Sequence, residues 1–156
     1  DNLMLHKAID AARPGDVLVV DTCGCRRSAV IGGIMSGAAF GKGIAAIVVD
    51  GAVRDVEELR ANGYPVFAAA VTPGAVDSEG PGQVDLPISC GGVPVLPGDI
   101  IVADDNGVTV VPAAWADWVL EGCEKRVQSE ERRTAEIRAG QLTSAGVLSK
   151  LEKLGL

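Results

Sequence analysis

The sequence predicts an α/β fold built around a partly parallel sheet. Segments typical of strands and of helices alternate through the first half of the chain, and this order places successive strands parallel with right-handed crossovers between them. Hydrophobic residues make up 47% of the 156 residues and charged residues 22%, which is the balance of a globular protein. Aromatic residues make up only 3% and glycines number 20, so Val, Ile, Leu and Ala must form the core.

The first half of the chain predicts helix and strand in turn. Short β-branched runs that end at Asp or Gly mark the strands, and helical spacing of apolar residues marks the helices. Ser28 is a candidate N-cap for the second helix, which carries small residues along its length. The predicted elements are a helix at 3–12, a strand at 17–21, a helix from 28 to about 41, a strand at 44–50, a short helix at 56–61 and a strand at 65–71.

The second half of the chain predicts shorter strands and then helices. Pro97-Gly98-Asp99 precedes a strand, as Pro14-Gly15-Asp16 does, so one turn followed by a strand is used twice. Residues 113–140 form a charged amphipathic pattern, and the tail to Leu156 indicates a second helical piece. The apolar side of the long helix is expected to hold Trp115, Trp118, Val119 and Val127. Strands are predicted at 84–89, 93–96, 100–103 and 108–111, after a Pro/Gly loop at 72–82.

The charge and the cysteines limit the classes of partner. A net charge of −7 argues against nucleic acid as an electrostatic partner. No apolar run reaches transmembrane length and no signal peptide is present, so we expect no membrane partner. We expect no zinc site, because the C-x-C pair has no second pair and no histidine cluster with it. We expect the four cysteines to be reduced thiols in a cytoplasmic protein. The chain opens in mid-pattern without Met, so we expect a single domain over 1–156 that lacks an N-terminal portion.

Arg54 and Asp55 are the strongest candidates for chemistry. They follow the apolar run IAAIVVD, which indicates a buried strand that ends at the turn-forming pair Asp50-Gly51. Ligands of open parallel sheets bind beyond the carboxyl ends of the strands. A guanidinium at that edge can hold a carboxylate through two hydrogen bonds, and a neighbouring carboxylate can hold a divalent cation. The competing interpretation is a surface ion pair in which Asp55 caps the helix that follows.

Glycines near the start of the second helix are a further candidate feature. Gly32 and Gly33 either leave backbone N–H groups free to face an anion or serve tight helix packing, which is the explanation we favour for Gly37. The loop at 21–27 is expected at the same edge of the sheet. Lys42 is the only lysine near the predicted cleft, and its position at a helix end favours a dipole-partner role over Schiff-base chemistry.

Several segments taken together resemble one protein family. GDVLVVD at 15–21, the glycine-rich helix, VVDGAVRD at 48–55, PGDIIVADDNGVTVVP at 97–112 and a Glu/Arg-rich terminal helix look like the RraA-like family. Its members include 4-hydroxy-4-methyl-2-oxoglutarate aldolases and a non-enzymatic regulator of ribonuclease E activity. The resemblance covers nearly the whole chain. It implies a swivelling β/β/α fold, assembly as a trimer or a dimer of trimers, and active sites between subunits.

The resemblance also implies a reaction and two principal residues. It implies a class II pyruvate aldolase that uses Mg²⁺ or Mn²⁺ to cleave 4-hydroxy-2-oxo acids, with oxaloacetate decarboxylation at the same site. In this family pattern Arg54 would bind the carboxylate of the small 2-oxo acid, and Asp55 would ligate the metal.

The remaining site residues implied by the resemblance lie in two places. Backbone amides at Gly32, Gly33 and Ile34 would hold the substrate carboxylate. A Glu from the terminal helix of a neighbouring subunit would act on the metal through a water molecule, and counting along the chain places this role at Glu130, with Glu131 as the alternative.

One position departs from the family pattern. The aldolase motif of the family is an acidic residue, then twenty residues, then Arg-Asp, and counting back from Arg54 reaches Gly33. Because glycine cannot relay a proton, the acid–base step must be lost or supplied by another group, for which Asp21, Asp104 and a residue of the missing portion are the candidates. Regulator-type members commonly lose the acidic residue after Arg, but Asp55 is present. A metal-dependent lyase is therefore the first hypothesis, and a non-catalytic trimeric regulatory protein is the second.

Overall fold

The chain folds into a mixed α/β unit and a helical unit. The structure, a computed structural model, describes residues 1–156 and divides into Asp1–Ala113 and Ala114–Leu156. A partly parallel sheet and a long C-terminal helix confirm the predicted fold class. The elements are α1 (Leu3–Ala11), β1 (Val17–Asp21), β2 (Ala29–Ile31), α2 (Gly33–Gly41), β3 (Ala46–Val53), α3 (Val56–Ala61), β4 (Val66–Val71), β5 (Ile88–Cys90), β6 (Val93–Val95), β7 (Ile100–Asp104), β8 (Gly107–Val111), a 3₁₀ turn at Ala113–Trp115, α4 (Ala116–Arg138) and α5 (Ala145–Lys153).

Strand β3 is the centre of the main sheet. Three strands pair with it, and all of them run parallel to it. β4 pairs with one edge of β3, from Ile47 to Val53. β1 and β2 share the other edge of β3: β1 pairs with Ala46–Asp50, and β2 pairs with Ala52–Val53. β5 pairs with β6, and β7 with β8, as two antiparallel hairpins. Because the strands of the main sheet are parallel, their carboxyl ends meet at one edge.

The core of the first unit packs around β3. Ile47 is 0% exposed and Val49 is 2% exposed. Full burial of an aliphatic side chain of this size contributes about 1.5–3 kcal/mol. The same cluster contains Ile31 of β2, Met35 of α2 and Leu59 of α3. These contacts hold β2, α2 and α3 in fixed positions around β3.

One turn is used twice, as the sequence predicts. Gly15 and Gly98 have φ values of 92° and 93°, the left-handed conformation that a type II turn needs at its third residue. Asp16 and Asp99 each accept a hydrogen bond from the N–H of the residue before the proline of their turn, at 2.8 and 2.9 Å. Each turn leads into a strand, β1 in the first case and β7 in the second.

The predicted helix from Ser28 to Gly41 is wrong at its start. Residues Ala29–Ile31 form β2, and α2 begins only at Gly33, with Gly32 as its N-cap. The three residues of β2 are buried and pair with the end of β3, where β-branched side chains pack well. As a result the glycine pair, and not Ser28, opens the helix.

The predicted end of β3 at Asp50-Gly51 is also wrong. The strand continues to Val53. Gly51 serves close packing instead of a turn, because a Cβ there would lie 3.0 Å from the carbonyl oxygen of Cys25 and would also meet Thr22. The hydroxyl of Thr22 donates to the carbonyl of Asp50, so the loop after β1 lies directly on β3.

The strand predicted at 84–89 is confined to Ile88–Cys90. Pro87 has no N–H to donate to a ladder, and Asp85 has a φ of 58°, which is not a strand conformation. The other three predicted strands of this region are present as β6, β7 and β8, with ends that differ by one residue.

The second unit consists of two helices and the turn between them. Trp115 and Trp118, predicted on the apolar side of the long helix, are 60% and 72% exposed, and no residue of α4 is buried. α5 begins at Ala145, and its N-cap residue Ser144 accepts a side-chain hydrogen bond from the N–H of Val147. None of the helices combines the length and the apolar character needed to cross a membrane.

The burial of β3 yields a stability prediction. Replacing Ile47 with Ala leaves a cavity in the core and should lower the free energy of unfolding by about 2–5 kcal/mol, whereas Ile47→Val should cost about 0.5–1.5 kcal/mol. Leu142 is 77% exposed, so Leu142→Ala should change stability by less than about 0.5 kcal/mol. Urea unfolding followed by circular dichroism measures all three, and equal losses for Ile47→Ala and Leu142→Ala would contradict the described core.

Candidate active site

The carboxyl ends of β2 and β3 bring two short segments together. Gly32-Gly33 follows β2 and opens α2, and Arg54-Asp55 follows β3 and leads into α3. The N–H of Arg54 donates to the carbonyl of Ile31 at 3.1 Å, which holds the two segments side by side. Asp55 Oδ2 accepts a hydrogen bond from the N–H of Gly33 at 3.0 Å. The structure therefore places the predicted Arg-Asp pair and the predicted glycine pair in one site.

Asp55 adopts an unusual backbone conformation. Its φ of 59° and ψ of 38° are left-handed, and a non-glycine residue there costs about 1–3 kcal/mol, although Asp and Asn tolerate it best. An N-cap residue normally has an extended backbone and bonds to its own helix. Asp55 makes no such bond to α3, and its carboxylate reaches the first N–H of α2 instead. Asp55 therefore occupies the N-cap position of α3, and its carbonyl accepts the N–H of Leu59 at 3.0 Å, but the expected side-chain cap is absent.

Arg54 lies beside Asp55 as a partly exposed ion pair. Its Nε is 3.5 Å from Asp55 Oδ2, and the two side chains are 43% and 41% exposed. A pair of this kind contributes only about 0–1 kcal/mol to stability. Because the contact uses Nε, the guanidinium can still present its terminal N–H groups to a carboxylate.

The glycine pair makes room for these side chains. A Cβ on Gly32 would lie 2.8 Å from Arg54 Cγ and 3.0 Å from Arg54 Nε, and it would also meet Asp55 Oδ2. Any other residue at this position would have to push the Arg-Asp pair away from the helix. Gly32 is therefore explained by the close approach of the Arg54–Asp55 ion pair to α2. This is tight packing, as one sequence interpretation has it, but against a charged pair near a helix N-terminus, as the other has it.

Glu58 is a site residue that the sequence did not reveal. Its carboxylate lies at the position that the Cβ of a side chain on Gly33 would occupy, with Oε1 2.6 Å from that ideal Cβ. Glu58 follows Asp55 by three residues and lies in the first turn of α3. That spacing within RDVEEL is the signal that could have drawn attention to Glu58.

Ile34 presents its backbone at the start of α2. Its side chain is 89% exposed. The first N–H groups of a helix have no acceptor within the helix, and the helix dipole is positive there. Because Asp55 takes the N–H of Gly33, the N–H of Ile34 is the better placed of the predicted amide donors for an anion.

Glu130 and Glu131 lie on α4, in the second unit. Glu130 Oε1 is 2.7 Å from Arg126 Nε, an ion pair one helical turn apart on the exposed face of the helix. Both glutamates line a shallow groove along α4 that also involves Val127 and Arg138. Their predicted role in a neighbouring subunit stays a prediction.

The other predicted groups have local structural partners. Asp21 Oδ1 accepts a hydrogen bond from the N–H of Cys23 at 2.7 Å, and Asp104 Oδ1 accepts one from the N–H of Asn106 at 2.7 Å, so each carboxylate stabilises its own turn. Lys42 Nζ donates to the carbonyl of Asp10 near the end of α1. These contacts favour structural roles for all three residues.

The loop after β1 carries an accessible thiol of altered acidity. Backbone hydrogen bonds from Arg27 and Ser28 lower the pKa of Cys25, which is exposed. Burial, followed by the charge of Asp50, raises the pKa of Cys90. All four cysteines are free.

The arrangement offers N–H donors suited to a small acid and a carboxylate oxygen suited to a hard cation. The N–H of Gly33 and the Nε of Arg54 both face Asp55 Oδ2, which leaves Oδ1 for a cation. No group of three or more His, Cys, Asp or Glu residues forms a complete metal site in the chain. Mg²⁺ is commonly held by only one or two protein carboxylates, with water and substrate oxygens completing its shell. The fold and the site thus define an α/β protein with a candidate anion site at the carboxyl edge of a parallel sheet.

Comparison with known proteins identifies the family. The RraA-like family, described as Aldolase/RraA, matches residues 1–110. The chain belongs to this family, which confirms the resemblance seen in the sequence.

Similar proteins carry names of two kinds. A protein of Halalkalibacterium halodurans named "Putative 4-hydroxy-4-methyl-2-oxoglutarate aldolase" is 40% identical over 151 residues, which cover 97% of this chain and 72% of that protein. The 4-hydroxy-4-methyl-2-oxoglutarate aldolase of Thermus thermophilus is 43% identical over 112 residues, covering 72% of this chain and 68% of that one. The crystal structure of a Streptomyces coelicolor protein, described as an unusual member of the RNase ES inhibitor RraA family, matches with a TM-score of 0.79 and 36% identity over 85% of this chain and 68% of that chain.

The close packing at Gly32 yields a binding prediction. Gly32→Ala should displace Arg54 and Asp55 and lower the affinity for oxalate, a small dicarboxylate, measured by titration calorimetry with Mg²⁺ present. Gly41→Ala is the matched control, because that position lies at the other end of α2 with nothing within 4 Å of an added Cβ. Equal oxalate affinity in the two variants would contradict the described contact between Gly32 and the Arg-Asp pair.

The altered acidity of Cys25 yields a labelling prediction. A lowered pKa raises the thiolate fraction at neutral pH, and the thiolate is the form that reacts. Iodoacetamide should therefore modify Cys25 before Cys123, which is also exposed, and before the less accessible Cys90, as followed by mass spectrometry. Faster labelling of Cys123 would show that exposure alone sets the order.

Proposed function

We propose that this protein is a divalent-metal-dependent pyruvate aldolase that cleaves 4-hydroxy-2-oxo acids such as 4-hydroxy-4-methyl-2-oxoglutarate. The proposal includes decarboxylation of oxaloacetate at the same site. The observation that carries it is the convergence of the Arg54 guanidinium and the Asp55 carboxylate on the start of α2. The name of the Thermus thermophilus relative supports the same reaction.

The residues of the site match what the substrates have in common. Both kinds of substrate carry a carboxylate next to a 2-oxo group and break the bond between C3 and C4. Arg54 and the N–H of Ile34 bind and orient the carboxylate, since a guanidinium and a helix N-terminus both favour an anion. Fixing that end of the substrate presents the 2-oxo group to Asp55.

A divalent cation suits the oxygen donors of this site. Asp55 would hold Mg²⁺ or Mn²⁺ through Oδ1, the oxygen that neither Gly33 nor Arg54 contacts. When bound, the cation supplies Lewis-acid polarisation of the 2-oxo group. The left-handed backbone of Asp55 keeps its carboxylate turned toward α2, and so toward the end of the site where the substrate carboxylate binds.

The proposal extends to assembly and location. We place the active sites between subunits of a trimer or a dimer of trimers, where Glu130 or Glu131 of a neighbouring subunit assists the cation through a water molecule. Exposed apolar side chains on the second unit, such as Trp118 at 72% and Leu120 at 59%, support self-association. Free cysteines support a cytoplasmic location.

A regulatory function is the second candidate. The absence of a side chain at Gly33 favours it, because that position is acidic in the aldolase motif. The Streptomyces coelicolor neighbour is named as a member of an RNase inhibitor family. Under this alternative, a trimer without lyase activity would bind a ribonuclease of the RNase E type, and the Arg54→Ala protein would inhibit that ribonuclease as well as the wild type does.

Metal-dependent turnover tests the aldolase proposal. The wild type should release pyruvate from 4-hydroxy-4-methyl-2-oxoglutarate and from oxaloacetate with Mg²⁺ or Mn²⁺, and EDTA should abolish both reactions. Arg54→Ala and Asp55→Asn should each lower kcat/KM by roughly 10²-fold or more, since the first removes the charge that binds the substrate carboxylate and the second removes the charge that would hold the cation. A lactate dehydrogenase assay measures the pyruvate.

Two neighbouring residues provide matched controls. Arg60 and Glu57 carry the same charges on the exposed side of α3, so Arg60→Ala and Glu57→Gln should leave turnover within about twofold, as surface changes usually do. Full activity of Asp55→Asn in the presence of EDTA would overturn the proposed metal mechanism.

A further inference from the structure

We propose that Glu58 is the acid–base catalytic residue of the aldol cleavage, in place of the side chain that Gly33 lacks. This inference rests on the proposed function, because it assigns a role within the same site. It also explains how a chain with glycine at that position can remain an aldolase.

The first argument is the location of the Glu58 carboxylate. It fills the space beside Gly33 in which a side chain at that position would lie, with Oε1 2.6 Å from the ideal Cβ and with Oε2 and Cδ also inside contact distance. The N–H of Gly33 bonds to Asp55. Glu58 and Asp55 therefore approach the same glycine, Asp55 at its N–H and Glu58 at its side-chain position.

The second argument is that Glu58 is held in place while its carboxylate stays available. α3 packs against α2, and Leu59, the next residue, is only 4% exposed. Phe40 of α2 and Tyr64, just beyond α3, stack with ring centroids 4.5 Å apart. Glu58 itself is exposed and takes part in no ion pair, so a substrate hydroxyl can reach it.

The third argument is the position of the alternative acids. Asp21 and Asp104 each accept a hydrogen bond from a backbone N–H of their own turn. Glu58 is the carboxylate, other than the proposed cation ligand, that an added Cβ on Gly32 or Gly33 would meet. The competing explanation is purely electrostatic, since a carboxylate near the start of α2 also stabilises that helix.

The chemistry balances with Glu58 alone as proton carrier. Its carboxylate takes the proton from the C4 hydroxyl of the substrate, the O–H electrons form the C4 carbonyl, and the bond between C3 and C4 breaks toward C3. The products at this stage are a carbonyl compound and the enolate of pyruvate. Glu58 then returns the same proton to C3, which completes pyruvate and restores the carboxylate.

Decarboxylation of oxaloacetate makes a different demand on the site. Its bond cleavage releases CO₂, with no hydroxyl proton to remove, and water can protonate C3 afterwards. Arg54 and Asp55 serve both reactions, whereas the base is needed only for the aldol cleavage. The ratio of the two activities therefore separates proton transfer by Glu58 from substrate binding or folding.

The experiment compares both activities in the full-length wild type, Glu58→Gln and Glu57→Gln, with Mg²⁺ present. Gln keeps the shape of Glu58 but cannot accept a proton. Glu58→Gln should lower kcat for cleavage of 4-hydroxy-4-methyl-2-oxoglutarate by about 10²-fold or more, the usual contribution of general acid–base catalysis, with KM little changed. Its oxaloacetate decarboxylation and both activities of Glu57→Gln should stay within about threefold of the wild type.

Each outcome bears on a different claim. Unchanged aldol cleavage by Glu58→Gln, or an equal loss of both reactions, overturns the role of Glu58 while the proposed function stands. Decarboxylation retained by Glu58→Gln also shows that the variant is folded. A wild type that catalyses neither reaction overturns the proposed function and the role of Glu58 with it.

Discussion

The hydrogen bond from the N–H of Gly33 to the carboxylate of Asp55 is the constraint on which the site depends. It joins the start of α2 to the segment after β3, and it accompanies the left-handed backbone of Asp55, whose side chain makes no capping bond to α3. A hydrogen bond to a charged group contributes about 1.5–3 kcal/mol, which is of the same size as the backbone strain of about 1–3 kcal/mol. The result is a carboxylate whose direction is fixed before any ligand binds.

The glycines and the side chains around them form one packing arrangement. Gly32 has no side chain, so Arg54 and Asp55 can lie against the helix, and Gly33 has none, so the carboxylate of Glu58 can approach it. At each glycine, the space that a side chain would occupy is filled by a side chain from the segment after β3. Two carboxylates and one guanidinium thus lie around a helix terminus that favours anions. Their net charge is −1, and a divalent cation would change it to +1, which suits an anionic substrate.

Much of the fold could be predicted from the sequence because its signals are local. β1, β3 and β4 are β-branched or apolar runs, and Arg54-Asp55 follows such a run directly. β2 could not be predicted, because AVI before a glycine pair resembles the first turn of a helix and becomes a strand only by pairing with β3. Glu58 was missed for a related reason. The spacing within RDVEEL marks the residue, but its approach to Gly33 depends on the packing of α3 against α2, which a sequence pattern does not record.

The most direct test of the central claim is a crystal structure of the protein with Mn²⁺ and oxalate, located by anomalous scattering from the metal. We expect Mn²⁺ on Asp55, and an oxalate carboxylate held by the guanidinium of Arg54 and the N–H of Ile34. Oxalate and Mn²⁺ bound elsewhere, with the Arg54 and Asp55 side chains unchanged and without ligand, would contradict the account.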